Sequence, residues 1–383
     1  MLDLLGTWGS RFMIDPRYAI RDSSDLLSPS LLVYPEIIRQ NLQTMITMAR
    51  GADRLRPHVK THKMAEIVRL EESLGIRKHK CATIAEAEMI AAAGGGDVLL
   101  AYPLVGPNID RYVHLVRGYR STTFRATVDH PDSARALSQA AGGLDRPLRV
   151  LVDLDIGMGR TGIGAGDEAD ELYALIDRLP NLKADGLHAY DGHVRDSEPS
   201  ARAAAARPGQ RMVLETAERL RGRGLEVPRL VMGGTPTFPI HAALEEPGVE
   251  CSPGTIILHD ASYRDRFPDL RFASAALLLT RVVSRPRPDR LCLDLGHKAV
   301  AADPAGERAR VLGLEDAKPV NHSEEHLVLE TSRAGEYAIG QELFAIPTHV
   351  CPTVALHRRA YVIQDGRVAG QWEVTARDRV LGV

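Results

Sequence analysis

The sequence predicts an α/β chain: a (β/α)8 barrel of the TIM type over residues 28–265, joined to a second, mostly antiparallel β domain built from residues 1–27 and 266–383. Three observations carry this. Apolar β-like runs alternate with amphipathic helical stripes eight or nine times over roughly 235 residues, the size and rhythm of a parallel barrel joined by βαβ crossovers. After about residue 265 the helical stripes give way to short β-rich runs separated by turn residues. The length, 383 residues, also favours two domains over one small core. An open doubly wound sheet would usually begin with a Gly-rich turn after its first strand. Here the first run, 31–34, is followed by Pro35-Glu36-Ile37-Ile38.

The elements follow in order. Residues 31–34 read as the first barrel strand. Ile37, Ile38, Leu42, Met45, Ile46 and Ala49 then make one helical stripe. Residues 55–60 read as a strand, 64–74 as a helix ending at Gly75, 80–84 as a strand and 85–93 as an Ala/Glu-rich helix closed by Gly94–Gly96. Further strands are expected at 97–102, 123–128, 148–155, 184–190, 229–232 and 254–258, with helices at 168–178 and 210–221 among the connections. The low-complexity stretch 200–207 reads as an exposed helix start or loop. Beyond the barrel, 275–283, 290–295, 325–329, 342–346 and 360–364 read as strands. No internal repeat is evident.

Composition narrows the function. Apolar residues make up 44% and charged residues 26%, ordinary for a globular chain and unlike a disordered one. Lys plus Arg total 48 against 50 Asp plus Glu, so the basic excess of a nucleic-acid binder is missing. No apolar run approaches the roughly 18 residues of a membrane helix, and the N-terminus lacks the pattern of a secretory signal. The four cysteines, Cys81, Cys251, Cys292 and Cys351, are far apart. They form no disulfide framework and no zinc ribbon, and they suit a cytoplasmic setting.

Barrel active sites gather where strands end. One predicted strand runs into Arg56-Pro57-His58-Val59-Lys60; a lysine there can form a Schiff base, or belong to a basic surface loop. Another ends in Asp153-Leu154-Asp155-Ile156-Gly157-Met158-Gly159-Arg160-Thr161-Gly162. Arg160 there could pair with a carboxylate, phosphate or phenolic oxygen, or with an aspartate in a tight turn. In His188-Ala189-Tyr190-Asp191-Gly192-His193, Tyr190 or His188 could face a flat ring and His193 could act as a general base. Gly233-Gly234-Thr235-Pro236-Thr237, with Gly254-Thr255, makes a candidate phosphate nest. His349-Val350-Cys351 on a strand would place both side chains on one face, suiting zinc or, alternatively, a buried structural pair. Gly296-His297-Lys298 and Glu324-Glu325-His326 are further polar clusters.

Taken together and in this order, these motifs resemble the D-threonine aldolase and D-serine dehydratase family of pyridoxal-phosphate enzymes, related in fold to alanine racemase. Ala82-Thr83-Ile84-Ala85-Glu86-Ala87-Glu88, Tyr190-Asp191-Gly192-His193, Ser323-Glu324-Glu325-His326 and His349-Val350-Cys351-Pro352 match as well. The likeness runs from about residue 28 to 360. It implies an alanine racemase-like barrel, fold type III, with Lys60 as the cofactor lysine and His58 beside it. It further implies Arg160 near the phenolic oxygen, Tyr190 or His188 against the ring, and Gly234, Thr235, Gly254 and Thr255 at the phosphate. Where related racemases place an arginine against the pyridine nitrogen, this chain offers Ser252. His349 and Cys351 are implied to hold a divalent metal (zinc, manganese or magnesium). The activity implied is cleavage of D-β-hydroxy-α-amino acids, with D-threonine aldolase preferred and His193 as base. A D-serine or D-threo-3-hydroxyaspartate dehydratase is the alternative, a racemase a remote one, and a non-catalytic cofactor carrier disfavoured by the extra β domain. By analogy the partners are a small D-amino acid and a second copy of the chain in a homodimer, with no nucleic acid and no membrane.

Overall fold

The computed structural model describes residues 15–21 and 23–383. The N-terminal reading over residues 1–14 and Asp22 lies outside them. The chain divides into two compact units, one of residues 37–273 and 373–383, the other of the segments up to 36 and 274–372.

In the first unit every β-strand pairs parallel. The strands are β2 (Lys78–Cys81), β3 (Asp97–Leu100), β4 (Thr123–Val128), β5 (Leu148–Asp155), the two-residue β6 (Ile163–Gly164) beside β5, β7 (Leu182–Ala189), β8 (Leu230–Met232) and β9 (Val249–Cys251). Segment 55–58 closes the ring. Arg56 N–H donates to Cys251 C=O at 2.8 Å, His58 N–H to Pro253 C=O at 2.9 Å, and Lys80 N–H to Pro57 C=O at 2.8 Å. With that segment the ring has eight staves, as a (β/α)8 barrel requires.

The helices between them bury the stripes that the sequence marks. α1 (Pro35–Ala49) buries Ile37, Ile38, Leu42, Met45 and Ala49. It is followed by α2 (Ala65–Ser73) and α3 (Ile84–Ala92), where Thr83 caps the helix by accepting from Glu86 N–H at 3.0 Å. α4 (Pro107–Gly118), α5 (Pro131–Ala140), α6 (Asp167–Arg178), α7 (Pro199–Gly222), α8 (Phe238–Ala242) and α9 (Ala261–Arg266) complete the set. α7 runs through the low-complexity stretch 200–207 and tolerates Pro208 within it. The expected strand at 254–258 is instead a 3-10 turn, Thr255–Ile257, and the barrel's last strand is β9. The C-terminal residues fasten to the barrel, with Gly382 N–H donating to Glu88 and Arg111 to the carbonyls of Arg379 and Val383.

A closed ring of alternating charge fills one level of the barrel interior. Arg56 pairs with Asp97 at 2.7 Å, Asp97 with Arg125 at 2.5 Å, and Arg125 with Asp185 at 2.6 Å. Asp185 pairs with Arg229, Arg229 with Glu250 at 3.6 Å, and Glu250 with Arg56 at 2.6 Å. Arg149 and Lys78 join at Asp185 and Glu250. Two residues further along the strands the interior becomes apolar at Leu99, Leu151 and Val231, as the period of two along a strand allows.

The second unit is a mixed, mostly antiparallel sheet. β1 (Ser30–Val33) lies between β10 (Ala276–Arg287), antiparallel, and β16 (Arg359–Gln364), parallel. The run at 31–34 is therefore a strand of this sheet and not the first strand of the barrel. β11 (Arg290–Leu293), β13 (Lys318–His322) and β14 (Leu327–Glu330) extend one edge and β17 (Arg367–Glu373) the other, while β12 (Ala309–Val311) pairs β15 (Glu342–Pro347) beside β10. The 349–353 segment is not a strand. His349 precedes the short helix α10 (Val350–Leu356), and Cys351 sits in its first turn. Pro352 is tolerated there because the first turn's N–H groups have no helical partner to lose.

Candidate active site

Lys60 lies just beyond segment 55–58, in the 3-10 turn Val59–Thr61. His58 caps this turn, its Nδ1 accepting from Lys60 N–H at 3.3 Å. The half-buried Lys60 amine stands 5.9 Å from the centre of the Tyr190 ring. Arg160 lies over the same ring at 4.9 Å. Tyr190 follows β7 directly, and its ring packs against Gly234: a Cβ on residue 234 would come within 2.9 Å of Tyr190 Cε2. The glycine there is a packing requirement of the ring.

Behind the ring, buried Asp191 accepts from Thr237 Oγ1 at 2.8 Å and is bonded to His241 Nε2 at 2.7 Å. Burial pulls the Asp191 carboxyl up, but the His241 bond leaves it below its ordinary range. Gly234 N–H reaches Thr237 Oγ1, and Gly254 N–H reaches Thr235 Oγ1, both at 3.3 Å. Thr255 opens the next turn. These residues bring backbone N–H groups and hydroxyls together at one place. Ser252, 3% exposed, donates to Arg56 C=O at 2.8 Å.

His188 is buried, with both ring nitrogens engaged: Nδ1 on Asp153 at 2.6 Å and Nε2 on Lys80 Nζ at 3.3 Å. Tyr190, not His188, is thus the ring that Lys60 and Arg160 share. His193 is exposed and lies over Gly157, where a Cβ would stand 2.9 Å from its Nε2. Burial, reinforced by Lys60 and Lys80, drives the His58 imidazole well below its ordinary range, so it is neutral. Burial and the Lys60 charge also bring the Lys80 amine down to about 7.

Sequence reasoning did not single out Lys80 or His241; Thr237 it placed in the candidate phosphate nest. Lys80 falls in Lys78-His79-Lys80-Cys81, a charged run that resembles a solvated edge. Its signal is the alternation that places Lys80 on the same face as Lys78, pointing into the barrel.

The second unit holds the His349–Cys351 pair. His349 Nδ1 is bonded to Asp303 at 2.6 Å. Burial works against the charged imidazole, but bonds to Cys351 and Asp303 raise it to about 9. Among the described residues no group of three or more His, Cys, Asp or Glu is gathered as a metal cage. An imidazole and a sulfur on one helix start still fit a divalent ion that keeps open positions, with Asp303 orienting the imidazole. Lys298 pairs with Glu324 and Glu325 at the surface, and the His297 ring meets His322 edge-on at 4.2 Å.

Comparison with known proteins places the chain. The profile described as "Alanine racemase, N-terminal domain" matches residues 34–260, and a serine dehydratase domain profile matches 275–363. D-threonine aldolase of Arthrobacter sp is 32% identical over 91% of this chain and 92% of its own length. The 3-hydroxy-D-aspartate aldolase of Paracoccus denitrificans (strain Pd 1222) is 28% identical over 94% of both chains. The crystal structure of D-threonine aldolase from Filomicrobium marinum superposes with a TM-score of 0.87 at 29% identity, covering 94% of this chain and 97% of that one. The chain therefore belongs to the alanine racemase N-terminal domain family, and its residues 275–363 match the serine dehydratase domain profile.

Proposed function

We propose that this chain, an enzyme of the pyridoxal-phosphate-dependent lyases, acts on D-β-hydroxy-α-amino acids as a D-threonine aldolase, cleaving the Cα–Cβ bond to give glycine and an aldehyde. The observation that carries the cofactor reading is the half-buried Lys60 amine sharing the Tyr190 ring with Arg160. A primary amine, an aromatic plate, a guanidinium and a nest of N–H groups are the donor set this cofactor requires. Bound there, pyridoxal phosphate supplies a sink for the electron pair left on Cα.

The protein's own residues do the rest. Lys60 would carry the cofactor, and Tyr190 would support its ring. Arg160 and Ser252 would serve its phenolic oxygen and pyridine nitrogen. Gly234, Thr235, Gly254 and Thr255 would hold the phosphate. His193, exposed to solvent, takes the hydroxyl proton. His349 and Cys351 would hold a divalent metal, whose chemistry is polarisation of a hydroxyl oxygen.

The aldolase choice is supported by the greater identity to the aldolase relatives, 32% and 28%, than to D-threo-3-hydroxyaspartate dehydratase of Delftia sp. (strain HT23), 26%. The serine dehydratase profile over 275–363 spans both His349 and Cys351 and favours a dehydratase as the second reading. Product analysis decides. Glycine plus acetaldehyde from D-threonine supports the proposal; a keto acid plus ammonia from D-threonine and D-serine overturns it in favour of the dehydratase.

A further inference from the structure

Lys80 is 2% exposed, and a lysine is almost never buried without a partner. Its partner is His188, contributed from β7. The hydrogen-bond directions of this pair can be deduced. Asp153 can only accept, because its own carboxyl stays ionised: burial pulls it up, but His188 holds it below its ordinary range. So Nδ1 of His188 carries the proton on the 2.6 Å bond to Asp153. Burial lowers the pKa of the imidazole, and in the neutral ring that this favours Nε2 is the bare nitrogen and needs a donor. The amine of Lys80, at 3.3 Å, supplies it, and it has an N–H to give in either charge state.

The string continues beyond Asp153. Its other oxygen accepts from Thr161 Oγ1 at 3.1 Å. Thr161 follows Arg160 in the loop between β5 and β6, and Gly162 N–H in the same loop is held by Asp129 at 3.0 Å. Arg160 is thereby fixed from its C-terminal side as it lies over Tyr190. Lys60, His58, Asp191, Arg56 and Tyr190, whose ring centre is 6.0 Å from the amine, are further charged or titratable groups near Lys80.

We propose that Lys80 is a positioning residue of this pocket: it donates to His188 Nε2, and the Lys80–His188–Asp153–Thr161 string holds the loop that presents Arg160 to the Tyr190 ring. The functional part of this rests on reading the pocket as the pyridoxal-phosphate site; the tautomer of His188 does not.

The test compares Lys80→Met with Lys80→Gln, side chains of similar length of which only glutamine can donate. In the wild-type protein, 15N NMR of labelled histidine, with His188 assigned by its loss in His188→Gln, should show a neutral ring protonated on Nδ1. A wild-type ring protonated on Nε2 overturns the proposal before any variant is made. In Lys80→Met the Nε2 signal should shift. The affinity for pyridoxal phosphate and kcat should each fall about ten- to a hundred-fold, the scale of a displaced positioning group, with KM for the amino acid little changed. Lys80→Gln should recover most of that loss. Unchanged His188 shifts in Lys80→Met, or equal losses in both variants, would overturn the proposal. If the wild-type protein takes up no pyridoxal phosphate, the site reading fails on its own while the NMR result still decides the string.

Discussion

Replacing Glu250 by Gln removes one anion from the closed ring inside the barrel. Arg56, fully buried, is then left with Asp97 alone as its charged partner, and Lys78 and Arg229 lose theirs on that side. Taking one member out of a buried ion pair costs about 3–5 kcal/mol. A second route gives a similar figure. Burial opposes ionisation of Glu250, but Arg56 and Lys78 overcome it and hold the carboxyl at about 2 instead of 4.5, which corresponds to about 3 kcal/mol. The sign is fixed by linkage: a carboxyl depressed in the folded state contributes fully above its unfolded pKa, and the contribution is lost as pH falls from about 4.5 towards 2. Urea unfolding of both proteins should therefore show the variant about 3 kcal/mol less stable at neutral pH, with the gap closing below pH 4.5. A gap under 1 kcal/mol at neutral pH would refute the reasoning, and so would a large gap that stays constant into acid.

The other tests concern the proposed chemistry. Lys60→Ala should abolish the absorbance near roughly 420 nm expected of protein-bound pyridoxal phosphate; a band that persists removes Lys60 from its role. His349→Ala should lose bound metal and activity, both at least tenfold, while that band survives. Full activity in this variant and in EDTA would remove the metal from the reaction.

The fold was legible where periodicity has one meaning. The stripe of α1, the long apolar run of β5 and the runs of β10, β11, β14, β15 and β16 all lie close to where their patterns put them, while β12 and β13 carried no run that marked them. Legibility failed where a pattern has two. The run at 31–34 is apolar enough to be a barrel strand, and nothing local says that its neighbours are β10 and β16. Ile256-Ile257-Leu258 is short and apolar like a strand but forms a tight turn, and alternation at His349 and Cys351 meant a helix start. In the site, the strand-end rule drew attention to Lys60, Arg160 and Tyr190 because each ends a recognisable run. Lys80 escaped because the partner that makes its burial tolerable lies in β7, 108 residues away. The six charges of the interior ring are likewise spread from Arg56 to Glu250, and a single sequence carries no sign that they meet.

The placement of β1 has a consequence for how the chain is made. Leu31 is paired with Leu278 on one side and Ala360 on the other, so a strand made before the barrel waits for two made after it. At 5–20 residues per second that interval is about a quarter of a minute to a minute. During it the whole span 37–273 emerges and can fold, while Leu31, Leu32 and Val33 stay without partners. Nascent or prematurely terminated chains ending before residue 359 are thus left with an adhesive apolar strand, and they are the species from which chaperone dependence and aggregation during expression should arise.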